Sequence, residues 1–130
     1  MRSIGLTEVS VTGQRFHDEA LCGRFETSVV TAMGMVPTNC LDRRANAHGR
    51  RVTDLLLRGK HYTTTLQLVE NHPNKWCQIS LVVIHLPTGK QASLVLRPGG
   101  WFEFASNLPE VNTSEDAVAL IEKTVERHQV

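Results

Sequence analysis

The sequence lacks the features that direct a chain into a membrane or along a secretory route. It has no run of 18 or more apolar residues, the length that a membrane-spanning helix needs. Its opening residues 1–8 contain no apolar stretch long enough for a signal peptide. We therefore expect a cytoplasmic protein that has no membrane partner.

Cysteine is scarce, and motifs for catalysis or metal binding are missing. Cys22, Cys40 and Cys77 are widely spaced with no Cys-x-x-Cys pair, which argues against a zinc site and favours three free thiols in a reducing compartment. No motif brings a nucleophile next to a base, and no glycine-rich phosphate loop occurs. These gaps favour a function other than catalysis, with no cofactor and no metal.

The composition is that of an ordinary globular protein. With 130 residues, of which 41% are hydrophobic and 21% charged, the chain is long enough to bury one core, and we expect a single domain over residues 1–130. The net charge is only +1, but its distribution is uneven. Six Lys or Arg residues lie between Arg43 and His61, whereas Glu110 to Val130 is mainly acidic.

The first part of the chain predicts one strand and one helix. Glu8 to Gly13 alternates apolar and small polar residues, which is typical of a short strand. From Asp18 onward, apolar residues such as Leu21 and Phe25 recur at helical spacing. The pattern predicts a helix over about 17–33 that ends near Gly34.

Residues 39–58 predict a second helix with two distinct faces. An N-cap at Thr38 or Asn39 and a C-cap at Gly59 would bound it. At about 100° per residue, one arc collects apolar and small residues and a second arc collects guanidinium groups. The apolar arc holds Leu41, Ala45, His48, Val52, Leu55 and Leu56. The arginine arc holds Arg43, Arg44, Arg50, Arg51 and Arg58, which are the candidate binding residues.

The remainder predicts a β-meander followed by a helix. Period-two patterns predict an edge strand at His61–Val69 and further strands at Trp76–Leu86, Gln91–Leu96 and Trp101–Ala105. Thr113-x-x-Asp116 then resembles a capping box at the start of a last helix. The predicted fold is α+β, a four- to five-stranded antiparallel meander packed against two N-terminal helices and one C-terminal helix, in the order β-α-α-β-β-β-β-α. This order broadly resembles a reduced helix-grip fold, although no sequence motif accompanies the analogy.

The predicted sheet is apolar on both faces. Ile79, Leu81 and Val83 point to one side, and Val82 and Ile84 to the other. Helices can cover one face. The other face must be covered by the sheet curling on itself, which would enclose a cavity, or by a second copy of the chain.

Three functions remain open from the sequence. The first is a non-enzymatic binding or accessory protein, homodimeric through its sheet, whose arginine face meets an acidic protein partner. The second is nucleic-acid binding through the same arginines. The third is a small-molecule or enzymatic cavity inside a curled sheet. Against the first two, charged helix faces are often only solvated, and the acidic residues of the last helix could neutralise this one within the fold.

Overall fold

In the computed structural model, residues 11–35, 41–45, 49–71 and 75–127 are described, without the side chains of residues 11–14, 35 and 75–77. These residues form seven strands and two helices. Their order is β1 (Val11–His17), α1 (Glu19–Met35), β2 (Leu41–Ala45), β3 (Arg51–Arg58), β4 (Tyr62–Asn71), β5 (Lys75–His85), β6 (Gln91–Arg97), β7 (Trp101–Ser106) and α2 (Ser114–Arg127).

The strands form one antiparallel sheet in the order β1-β7-β6-β5-β4-β3-β2. Strands β2 to β7 are a meander in which each strand pairs with the next along the chain. β1 closes the other side by pairing with β7, so that Phe16 lies opposite Phe102. β5 is therefore the central strand, with three strands on either side of it.

Both helices cover the same face of the sheet, which we call the helix face. Side chains of directly paired residues lie on one side of a sheet, and a row of such pairs crosses five strands beneath the helices. That row consists of Leu55, Leu66, Leu81, Leu94 and Phe104, each almost fully buried. The helices add to the same hydrophobic cluster through Phe25, Val29, Val118 and Ile121.

The opposite face of the sheet, which we call the open face, is not covered by the described residues. It consists of the alternate positions of every strand, for example Asp54 on β3, Val82 on β5 and Glu103 on β7. None of the described side chains on this face is buried, and most are half-buried between their neighbours. The described residues therefore form two layers, the helices and the sheet.

Most of the predicted elements are confirmed with small shifts of their ends. The first strand, the first helix, the four-stranded meander after residue 60 and the last helix are all present. The first strand extends to His17, beyond the predicted end at Gly13, and residues 1–10 lie outside the described residues. The capping box is also confirmed, because the Asp116 amide donates to Thr113 Oγ1 at 3.1 Å and the Thr113 amide donates to Asp116 Oδ2 at 3.2 Å.

The predicted helix over residues 39–58 is wrong. Its described residues form the antiparallel strands β2 and β3, in which Leu41 and Leu55 are direct partners. In a helix these two residues would lie about four turns apart on the same face. Their spacing therefore fits a helix as well as the observed strand pair. Gly49, at φ 80°, has a backbone conformation that an α-helix does not allow. Because Thr53 and Leu55 are buried while Val52 and Asp54 face the open side, the true period is two.

This error changes the strand and helix counts. The described residues form a sheet of seven strands rather than four or five, and two helices rather than three. Strand β4 is interior, because β3 pairs along the side that was predicted to be an edge. Residues 79–84 and 92–96 were the predicted wall of a cavity inside a curled sheet, and those of them that face the helices, Leu81 and Leu94 among them, belong to the hydrophobic core.

Candidate functional site

A groove lies between the β3–β4 turn and the last two turns of α2. The turn is held by the Gly59 amide, which donates to the Tyr62 carbonyl at 2.8 Å, and by the Leu86 amide, which donates to the His61 carbonyl at 2.7 Å. The groove has a volume of about 480 Å³. We call it the basic groove, and it is lined by Leu57, Arg58, Gly59, Lys60, His61, Tyr62, Thr64, Leu120, Lys123, Thr124 and Arg127.

One wall of the basic groove is a single side of α2. The wall consists of Leu120 and the residues three, four and seven positions after it, Lys123, Thr124 and Arg127. This spacing places all four on one side of α2. The Thr124 hydroxyl donates to the Leu120 carbonyl at 2.9 Å. This wall therefore offers two cationic side chains and one apolar side chain.

The lining of the basic groove is positively charged. Arg58, Lys60, Lys123 and Arg127 carry full charges, His61 adds an imidazole, and no lining residue is acidic. Among the described residues, no carboxylate forms an ion pair with these four cations. Within the described part of the chain these four charges are therefore hydrated rather than paired, which leaves them available to an anion.

Tyr62 is fixed in place at the groove by its neighbours. Its hydroxyl donates to Glu110 Oε2 at 2.6 Å, and its ring lies 4.9 Å from the His85 ring. The hydrogen bond to Glu110, together with burial, raises the pKa of the Tyr62 phenol above its ordinary value. Tyr62 therefore remains protonated and contributes a wall rather than a base.

The predicted arginine set does not form one surface. Arg43 and Arg44 are adjacent in β2, so strand alternation directs them to opposite faces of the sheet. Arg44 is engaged by Asp42 and Asp54, each at 2.6 Å, and its pKa is raised chiefly by the hydrogen bond to Asp54. Arg50 and Arg51 are exposed at the start of β3, and only Arg58 lies at the basic groove. A binding role for the five arginines together stays a prediction.

Four basic lining residues were not among the candidates predicted from the sequence. Lys123 and Arg127 carried a usable signal, since they are four positions apart on the polar side of a predicted helix. Lys60 and His61 adjoin Arg58 in a turn, and a dense cluster of cations in a turn was the second signal. What the sequence could not supply was the proximity of these two segments.

The open face carries a second set of polar contacts. On β6 and β7, Arg97 holds Glu103 by two hydrogen bonds, from Nε at 2.8 Å and from Nη2 at 3.1 Å. The same guanidinium donates to Gln78 on β5 at 3.2 Å. The bonds from Arg97 hold the pKa of Glu103 below its ordinary value. Arg15 on β1 lies 3.8 Å from Glu103 and 5.7 Å from the centre of the Trp101 ring.

Neither a metal cluster nor a membrane helix is found in the described part of the chain. No group of three or more His, Cys, Asp or Glu side chains could hold a metal ion there. No described helix is long and apolar enough to span a membrane.

Comparison of the chain with protein-family models, with curated proteins and with solved structures finds no match in any of the three. The function must therefore be argued from the site itself, by the chemistry of its residues.

Proposed function

We propose that the protein is a non-enzymatic binding protein that takes a small amphipathic anion in the basic groove. The observation that carries this proposal is the lining, which has cations and an apolar side chain on each wall and no carboxylate. An anion bound there would replace solvent as the partner of Arg58, Lys123 and their neighbours. The ligand class is a carboxylate or phosphate attached to a short hydrocarbon part.

The size of the basic groove supports a small ligand. Its volume of about 480 Å³ lies within the range of small-molecule pockets, roughly 300 to 1,000 Å³. Leu57 and Leu120 offer apolar contact to a hydrocarbon part. Arginine and lysine favour carboxylate and phosphate heads through charge-assisted hydrogen bonds. The head would lie near the rim, where the long basic side chains end.

The same lining supports binding rather than catalysis. The phenol of Tyr62 donates to Glu110, and the Thr124 hydroxyl donates to the Leu120 carbonyl. Among the described lining residues, no hydroxyl is paired with His61 as a base would need to be. A cytoplasmic location belongs to the same proposal and is supported by Cys22, which is a free thiol.

The test is competition for a fluorescent anionic probe. Anilinonaphthalene sulfonate, which joins an aromatic body to an anionic head, is titrated into the full chain and then displaced. We expect octyl phosphate to displace it well and octanol, which has the same hydrocarbon part and no charge, to displace it poorly. Equal displacement by the two competitors would show that charge plays no part and would overturn the proposal.

Variants locate the binding site. We expect Lys123→Ala combined with Arg127→Ala to weaken octyl phosphate binding by about tenfold, since both would lose a charge-assisted contact. Arg43→Ala is the matched control, because Arg43 is an exposed cation outside the basic groove. An equal loss in the control would remove the basic groove as the site. Tight binding of an acidic peptide or an oligonucleotide, with octyl phosphate ineffective, would replace the small anion by a macromolecular partner.

A further inference from the structure

The open face carries two charged clusters, one on each side of the central strand β5. The first, on β2 and β3, consists of Asp42, Arg44 and Asp54, in which two carboxylates hold one guanidinium. We call it the acidic cluster, since one negative charge is in excess. Gln67 on β4 extends it by donating to Asp54 Oδ1 at 2.9 Å.

The second cluster has the opposite excess charge. It lies on β6, β7 and β1 and consists of Arg97, Glu103 and Arg15, in which one carboxylate is shared by two guanidinium groups. We call it the basic cluster. Arg58 is a further cation on the open face, and it belongs to neither cluster. It lies four residues after Asp54, at the end of β3 that borders the basic groove. It is therefore roughly 13 Å from the acidic cluster along the strand.

Apolar side chains fill the area between and beside the two clusters. Val82 and Ile84 project from the open side of β5, and Val69 and Val95 project from the strands next to it. All four are half-buried within the chain and retain apolar surface toward solvent. At the margin, Trp101 is 44% exposed. Burial of such a surface against another one is favourable.

We propose that the open face is the contact surface of a homodimer whose two-fold axis runs along β5. β5 is the fourth of seven strands, so a rotation about it stacks β4 on β6, β3 on β7 and β2 on β1 of the second copy. The acidic cluster of each copy then faces the basic cluster of the other, twice. A second copy is the occupant because the net charges of the two clusters are opposite and Asp42 of one copy lies level with Arg15 of the other.

The dimension of the open face is adequate for such an interface. Seven strands spaced by about 4.8 Å span roughly 30 Å, and strands of six to eight residues are about 20 Å long. Each copy would contribute on the order of 600 Å², so the total lies at the lower end of stable interfaces. The basic groove stays accessible, because it lies between the β3–β4 turn and α2 on the helix side.

The first measurement is the oligomeric state of the full chain by sedimentation velocity, from micromolar to submillimolar concentration. We expect a reversible dimer whose fraction rises with concentration. We expect Val82→Lys, which places a charge on the axis next to its own copy, to weaken dimerisation at least about tenfold. Val30→Lys is the matched control: Val30 lies on α1, away from the open face, and is 63% exposed. A strictly monomeric chain, or an equal effect of the control, would overturn the proposal.

The second measurement tests the charge pairing itself. Asp42→Lys makes both clusters positive, and Arg15→Glu makes both negative, at two positions that face each other in the stacked pair. We expect each variant alone to dimerise at least about tenfold more weakly and the two mixed together to form a heterodimer. Circular dichroism and thermal melting establish that each variant is folded. If the folded variants do not associate when mixed, the two-fold arrangement along β5 is wrong.

Discussion

Arg24 of α1 holds Glu122 of α2 by two hydrogen bonds, from Nε at 3.1 Å and from Nη2 at 2.8 Å. The same guanidinium lies 2.6 Å from Glu115, which is about two turns nearer the start of α2 on the same side of the helix. The pKa of Arg24 is raised, first by its hydrogen bond to Glu122, and the pKa of Glu122 is lowered by the bond from Arg24. This contact joins the two helices at their solvent side.

The contact between Arg24 and Glu122 predicts a stability difference that depends on pH. A carboxyl whose pKa is lowered by folding adds stability above its ordinary pKa, and this stability is lost as the pH falls through the lowered value. We expect Arg24→Ala to lower the melting temperature at neutral pH by a few degrees. As the pH falls and Glu122 is protonated, the melting temperatures of the variant and the wild type should converge. Arg43→Ala, an exposed cation on β2, is the control. A gap between variant and wild type that is constant from neutral pH to acid would contradict this assignment.

Cys22 is predicted to be a slow nucleophile. Burial raises the pKa of its thiol to about 12, and its hydrogen bond to Glu26 Oε1 at 3.1 Å adds to the effect. Since the thiolate is the reactive form, we expect alkylation by iodoacetamide at mildly alkaline pH to be at least about tenfold slower than in the unfolded chain. Mass spectrometry separates Cys22 from the other two cysteines. Glu26→Gln should accelerate the reaction, and equal rates in folded and unfolded chains would refute the prediction.

Ser106 organises the connection from β7 to α2. Its hydroxyl accepts from the Leu108 amide at 3.0 Å and donates to the Val111 carbonyl at 2.6 Å, and its side chain is buried. Ser106→Ala would leave buried backbone groups without partners, at a cost of about 1–3 kcal/mol of unfolding free energy in urea. Ser93→Ala on the open face should change stability by less than about 0.5 kcal/mol. Similar losses in the two variants would show that the Ser106 bonds are not responsible.

Two glycines are predicted to respond to alanine with opposite signs. Gly100 has φ 83°, and an added Cβ would lie 2.9 Å from His17 Nε2, so Gly100→Ala should destabilise by about 1–2 kcal/mol. Gly23 lies within α1, and no heavy atom is within 4 Å of a Cβ added there. Gly23→Ala should therefore stabilise by about 0.5–1 kcal/mol. Thermal and urea unfolding measure both, and the same sign in the two variants would contradict the stated backbone conformations.

The elements that could be predicted from the sequence carry their signals locally. Thr113 and Asp116 lie three positions apart and cap α2 with their own side chains, so no distant residue is needed. β4 could be found for a similar reason, because Leu66 and Leu68 alternate with polar residues over a long run. The order of the strands in the sheet has no such local signal. The sequence therefore predicts β4 as an edge strand, whereas β3 pairs with it on that side.

Strands β2 and β3 could not be predicted because two periods overlap in their sequence. Leu55, Leu56 and Leu57 are consecutive, which hides the alternation of a strand. Leu41 and Leu55 satisfy helical spacing and also lie opposite each other across the strand pair. Gly49 was the available signal, since a glycine inside a predicted helix weakens that prediction.

The basic groove depends on proximity between distant parts of the chain. Arg58 was identified as a candidate from its local cluster of cations, and it does line the groove. Lys123 and Arg127 belong to the segment that the sequence describes as acidic, so its overall charge concealed them. Only the packing of α2 beside the β3–β4 turn brings the two groups together.

The position of β1 has a consequence for how the chain folds. β1 pairs with β7, with Phe16 opposite Phe102, although the two strands are far apart in the sequence. Every other pair of neighbouring strands is consecutive in the sequence. Closing such a long intervening loop costs more conformational entropy than forming a hairpin. We expect the hairpins of the meander to form first and β1 to pair with β7 last. This last step would then limit the refolding rate.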